Sequence, residues 1–416
     1  MLRNAFGVLA PAILLFTGFS AISMPSPMDD KLFGAFDYSD VTMLEKIKSE
    51  TADENVSRLA DIMLLTVRHK ESEALELYDK LDIRHLPRQL RCAADLNKAM
   101  VYERLNHHSL VVDAISDAGH EANCASPFVQ DTRSLHASLR DEQTDILAIK
   151  AAGKIPLKRD ANKLPLASIS VNGRIQDALI DTASTFSVIS ASNAKKLELR
   201  AVEGTSQVTT ANGHLVAANI AIAPDLQIGN CRFKNVLFVV IPDSKWPDPI
   251  DQIIVGMSVL NQLSRLEFDH TDGNDTLVYG HTPGEQVGPS NMIFHWWQPY
   301  VMARINSDPE PVRILIDTGA DKTIFNQTLL LAHPGVERAA GSVPLGYQGV
   351  DGANVDQEAL LITNIDLGIG SANVNIKSVP LIKSTGPAYH GLFGQETLLS
   401  TKKVVIDFDN MYFSMN

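Results

Sequence analysis

At 416 residues the chain is longer than one hydrophobic core commonly supports, so two or three structural units are expected. Its 45% hydrophobic and 20% charged residues, with a mean hydropathy of -0.01, suit an ordinary soluble globular protein and argue against a disordered or membrane-embedded one. Forty-nine acidic against 36 basic residues leave a formal charge of -13 and no basic stripe, which excludes nucleic acid as the expected partner.

The first 23 residues read as a signal peptide. Arg3 precedes an apolar run from Ala5 to Phe19 that Pro11 interrupts, and Ala21-Ile22-Ser23 suits cleavage before Met24. The run is short for a span, and no later stretch reaches the roughly 18 to 20 apolar residues a spanning helix needs, so no stable membrane span is expected. The expectation is a periplasmic or secreted protein, with an uncleaved anchor as the alternative. No cysteine directly follows the run to carry a lipid.

From about Asp29 to Ala152 apolar residues recur at spacings of three and four, as in Leu59, Ile62, Met63 and Val67, then Ala74, Leu75, Leu77 and Tyr78. That pattern predicts a helical domain over 29–152. Asp53 is placed to cap the helix running through Leu64, Leu86-Pro87 marks a helix start, and Leu90 to Leu105 reads as a long amphipathic helix. The alternatives are a tetratricopeptide-type array and a generic helical bundle, either of which could recruit a protein partner or cover a site. Cys92 and Cys124 share this segment and are the pair that export would allow to bridge, whereas Cys231 reads as a buried apolar filler. The adjacent His107-His108 would point to different faces of a helix, and no metal site is expected.

Near Gly153 the pattern changes to strands rich in Val, Ile and Thr. Asn172-Gly173, Asn212-Gly213 and Asp351-Gly352 are hairpin turn signals. A run of turn formers from Tyr279 to Ser290 divides this part into lobes over 156–280 and 292–416, giving an α plus all-β multidomain chain.

An internal duplication crosses that seam. Leu179-Ile180-Asp181-Thr182-Ala183-Ser184 matches Leu315-Ile316-Asp317-Thr318-Gly319-Ala320, and Ile254-Val255-Gly256 matches Leu392-Phe393-Gly394. The offsets are 136 (317 minus 181) and 138 (394 minus 256), and Glu267-Phe268-Asp269 answers Asp407-Phe408-Asp409. Two motifs at nearly one separation, twice, imply two similar lobes.

Each copy leaves an acid at the end of a continuous apolar strand, followed by a hydroxyl and a small residue. A carboxylate there is costly unless donors are supplied, and the Thr182 and Thr318 hydroxyls and the backbone N–H groups at Ala183 and Gly319 can supply them. If a pseudo-twofold brings Asp181 and Asp317 together, the two cannot both ionise easily and share a proton, one acting as base and the other as acid on a water between them. That chemistry requires no metal or organic cofactor, and one chain supplies both acids, so a monomer suffices for catalysis.

On these residues the chain resembles the aspartic proteases of the retropepsin and pepsin clan, over about Pro156 to Asn416. Ile314-Leu315-Ile316-Asp317-Thr318-Gly319-Ala320-Asp321 is close to the retropepsin signature, and Leu392-Phe393-Gly394 is its second half. The resemblance implies Asp181 and Asp317 as the catalytic pair, and a proton shared between paired acids is the established behaviour of that clan. It also implies Thr182 and Thr318 interlocked beneath the pair, and Gly256 and Gly394 against the active-site loops. It further implies Asp321 holding substrate backbone and β-hairpin flaps over the cleft, which places Thr210 and Ala211 in one flap and Tyr347 and Gly349 in the other, against a peptide or protein substrate. Ala183 stands where the signature prefers glycine and Thr185 where the second copy has Asp321, so an asymmetric cleft is expected, and a protease-fold binding protein without turnover remains the alternative.

Overall fold

The computed structural model describes residues 34, 40–118, 127–209, 215–246, 252–281, 287–306, 308, 310–348, 354–383 and 389–416. The signal segment, Cys124, Asn212-Gly213, Asp351-Gly352 and, among the flap residues, Thr210, Ala211 and Gly349 lie outside them, as does the side chain of Tyr347.

Among the described residues six α-helices lead into the β region: α1 (Val41–Glu50), α2 (Glu54–Val67), α3 (Glu71–Tyr78), α4 (Arg88–Arg104), α5 (His108–Ala118) and α6 (Pro127–Ser138). The Asp53 carboxylate accepts from the N–H groups of Asn55 and Val56, so it caps α2 as its position in the sequence suggests, and Pro87 precedes α4. Leu44, Leu59, Met63, Ala74 and Leu90 bury their side chains in one apolar cluster, and Cys92 in the same cluster is disulfide-bonded while Cys231 is a free buried thiol. The helices are not detached from the β region. Arg104 at the end of α4 pairs with Glu71 at 2.9 Å, donates to the carbonyls of Thr66 and Trp296, and lies 5.2 Å from the Phe294 ring of the second lobe. Burial pushes the Glu71 carboxyl up, but His69 and Arg104 outweigh it and bring its pKa to about 2.

The β region forms two lobes with one connectivity. In the first, the hairpin of Pro165–Val171 and Arg174–Ile180 turns at Asn172-Gly173, both with positive φ, which a two-residue hairpin turn demands. Arg174–Ile180 then runs parallel to Ile253–Val255, and Ser187–Ser190 runs parallel to Cys231–Ile241. In the second lobe Pro311–Ile316 pairs antiparallel with Gln298–Ile305 and parallel with Gly391–Phe393, and Ile324–Asn326 runs parallel to Ala372–Ile382. A long hairpin, Arg200–Thr209 with Leu215–Ile228, has its counterpart in Arg338–Gln348 with Asn354–Ile369.

Three details depart from the reading of the sequence. A short strand at Ile146–Ile149, inside the segment assigned to the helical domain, pairs with Cys231–Ile241 and so belongs to the first lobe's sheet. With four residues and mostly exposed side chains it has no legible period. The last strands of the chain leave the second lobe: Lys403–Asp407 pairs antiparallel with Arg265–Asp269 of the first, with Tyr412–Met415 at its side. The equivalence of Glu267-Phe268-Asp269 with residues 407–409 is also two residues out. Each strand begins nine residues after its lobe's glycine (265 minus 256, 403 minus 394), so Arg265 corresponds to Lys403 and Asp269 to Asp407. Side chains alternate with period two, so a shift of two preserves the apolar pattern and hides the slip. At the structural offset of 138 (403 minus 265), Glu267 pairs with its own counterpart Val405, which puts the pseudo-twofold axis through that pair.

Candidate active site

Each aspartate ends a buried strand. Ile180 and Ile316 are fully buried, and the next residue in each lobe, Asp181 or Asp317, bonds through its N–H to the carbonyl of the neighbouring parallel strand, Val255 or Phe393, at 3.1 Å in both cases. The chain turns immediately afterwards. Asp181 Oδ1 accepts from Ala183 N–H at 2.9 Å and Ser184 N–H at 3.2 Å, and Asp317 Oδ1 accepts from Gly319 N–H at 2.9 Å. One oxygen of each carboxyl is thus tied to its own loop, while Oδ2 of each is buried without a protein partner.

The lobes lock beneath the acids. Thr182 N–H donates to Thr318 Oγ1 and Thr318 N–H donates to Thr182 Oγ1, each at 3.1 Å. The hydroxyls donate onward across the seam, Thr182 to Ile316 O at 2.5 Å and Thr318 to Ile180 O at 2.6 Å. Each hydroxyl proton is then committed, so the 3.3 Å between the two oxygens is a packing contact.

Close approach at the seam is measured by Gly319. A methyl carbon placed on it would lie 2.6 Å from Asp181 Cγ and 2.8 Å from Asp181 Oδ2, so only glycine lets the carboxyl of one lobe sit over the loop of the other. Gly256 and Gly394 answer a different need. A side chain there would overlap the carbonyl of Phe186 in one lobe and of Lys322 in the other, and neither glycine has a positive φ, so space alone demands them.

Both aspartates lie fully buried. Burial, and the charge of Asp317, hold the Asp181 carboxyl well above the usual carboxylate range, and burial holds Asp317 above it too. The pair therefore retains a proton at pH values where an exposed carboxyl has lost it. Asp321, half-buried with one oxygen unpartnered, is pushed by burial to about 6, and Thr185 in the first lobe is buried. Among the described residues no group of three or more His, Cys, Asp or Glu side chains is arranged to hold a metal, and no helix is long and apolar enough to cross a membrane.

Residues 167–259, the core of the first lobe, match the family model described as Aspartyl protease. That match lies within the first lobe, and the second lobe repeats its strand connectivity. Among solved structures, a retropepsin-like aspartic protease from Rickettsia conorii is similar to part of the chain, 21% identical over 31% of this chain and 92% of that one, with a TM-score of 0.23. No curated protein matches the chain.

Around the two lobes the structure adds residues that the sequence did not point to. Gln298 Nε2 donates to Ala183 O at 3.1 Å, and the Tyr300 hydroxyl donates to Gln298 Oε1 at 2.8 Å. Ala183 shares an apolar cluster with Leu315, Tyr300 and Val67 of α2, with Val41 of α1 packed against it. The helical domain therefore closes over side chains flanking both aspartates. Leu135 and Leu139 at the end of α6 join Leu179 and Ile254 in the same way in the first lobe. Trp297 is buried in the lobe core.

Proposed function

We propose that the chain is an aspartic endopeptidase that hydrolyses peptide bonds through a water held between Asp181 and Asp317. The single observation that carries this is a pair of buried carboxyls from two lobes, each with its Oδ1 tied to its own loop and its Oδ2 unpartnered. The ionised member takes a proton from water, and the resulting hydroxide attacks the scissile carbonyl. The protonated member gives its proton to the developing oxyanion, the other passes the water's proton to the leaving amine as the C–N bond breaks, and the collapsing diol returns a hydroxyl proton to the first, so the pair ends as it began. Both acids lie on one chain, so a single copy is sufficient. We further propose export by the first 23 residues to a periplasmic or extracellular setting, with the helical domain as the surface for a protein partner.

A second reading, a protease-fold peptide binder without turnover, is favoured by one observation: both carboxyls are fully buried, with helical-domain side chains packed on their neighbours. Cleavage of casein by the purified chain across acidic to neutral pH, beside Asp181→Asn and Asp317→Asn, separates the two. Endopeptidase activity that falls about a thousandfold in either variant supports the shared pair. A folded wild type that cuts nothing at any pH, with the helical domain intact or proteolytically released, leaves only the binder.

A further inference from the structure

The loop after each aspartate must hold its N–H groups to within a few tenths of an ångström if the carboxyl is to keep its orientation, so whatever fixes that loop's carbonyls matters as much as the N–H groups themselves. Both lobes fix part of the loop by the same backbone frame. Met257 and Ser258 donate N–H to the carbonyls of Ser184 and Thr185 at 2.7 and 2.9 Å, and Gln395 and Glu396 donate to Ala320 and Asp321 at 2.8 and 2.9 Å. The side chains at this equivalent position differ. Met257 has no donor, whereas Gln395 Nε2 donates to Thr318 O, the carbonyl directly after Asp317, at 2.8 Å.

We propose that Gln395 is a positioning residue for Asp317 and that Arg159, from the opposite lobe, sets it; the inference rests on the proteolytic reading above. Gln395 is buried, and its Oε1 accepts from Arg159 Nη1 at 2.8 Å across the seam. Arginine can only donate, so the amide oxygen must face Arg159 and the NH₂ must face Thr318, which leaves one orientation for the amide. A cationic donor on the oxygen also polarises the amide and strengthens its bond to the carbonyl. Arg159 is itself immobilised. Its Nε binds Asp275 Oδ2, its Nη1 also donates to Lys163 O at 2.9 Å, and His270 Nδ1 lies 3.3 Å from Nη2 and 3.1 Å from Asp275 Oδ1. The first lobe thereby reaches the backbone beside the second lobe's aspartate, and docking of the lobes sets the geometry at Asp317.

The test uses the full chain and three substitutions: Gln395→Met, which gives the second lobe the residue the first has at 257, Gln395→Glu, and Arg159→Gln. Gln395→Met is expected to melt as a folded protein with kcat lowered about tenfold or more and KM within about threefold of the wild type. Combined with Arg159→Gln it should lose no more than the worse single variant, because the two act as one unit. Gln395→Glu can donate to Thr318 O only while protonated, so its activity should survive at acid pH and fall more steeply than the wild type's as pH rises. Independently of turnover, the titration of the aspartate carboxyls, followed by ¹³C NMR, should move by about half a pH unit or more in Gln395→Met. Wild-type kcat and wild-type carboxyl titration in folded Gln395→Met, or losses that simply add, would overturn the proposal. A wild type that cleaves nothing sinks the proteolytic reading instead, and the carboxyl titration still decides the role of Gln395.

Discussion

In the first lobe the residue two after the aspartate is Ala183, whose methyl is absorbed by Leu315, Tyr300 and Val67; in the second it is Gly319, and no methyl fits because Asp181 occupies the space. The carbonyls of the two loops are also held differently, Ala183 O by Gln298 and Thr318 O by Gln395, and both glutamines come from the second lobe. The threonine lock and the glycines at 256 and 394, by contrast, are the same on both sides. The pseudo-twofold is thus a symmetry of backbone, which repeated strand and turn geometry maintains, while the side chains around each acid are free to diverge wherever only one neighbour constrains them.

Gly319→Ala should remove this difference between the lobes at the greatest cost. The added methyl meets the Asp181 carboxyl, and overpacking there should cost about 3 kcal/mol and abolish cleavage, which denaturant melts and a peptide assay would read. Next come Thr182→Val and Thr318→Val. Each strands a carbonyl and an N–H of the other lobe, so each should cost about 2 to 3 kcal/mol, and equal costs in the two lobes would confirm that the lock is symmetric. A smaller effect concerns protons. Both aspartates hold raised pKa values in the folded chain, so as pH climbs above about 4 the unfolded chain ionises both groups while the folded pair still retains a proton, and stability declines. Asp181→Asn or Asp317→Asn should flatten that decline, by about 1 to 2 kcal/mol at neutral pH, measured as melts across pH. The mildest change is Ala183→Gly, expected to cost under about 1 kcal/mol and leave cleavage nearly intact, because it only empties a methyl site and loosens the unfolded chain.

Much of this was legible because it is local. A continuous apolar strand ending in Asp-Thr and a small residue, repeated at one offset with a second apolar-apolar-Gly motif, needs no tertiary information to be recognised, and it located Asp181, Asp317, both threonines and three of the glycine positions that matter. The slip at 267–269 shows the limit of the same method, since period-two strands look alike when shifted by two. Arg159 and Gln395 lie 236 residues apart and neither sits in a motif, so nothing in their neighbourhoods marks them as partners.

Propensity, turn chemistry and apolar period act over a few residues, and they were enough to set the duplicated strand-turn units, the helical segment before them and the acids that end the paired strands. Packing between distant elements was needed to bring the carboxyls together in a fully buried seam, to carry the final strands into the first lobe's sheet, and to close helices α1 and α2 on the residues beside the pair. Those outcomes depend on which distant surfaces exclude water together and which buried donors find acceptors, and no short stretch of chain contains that information.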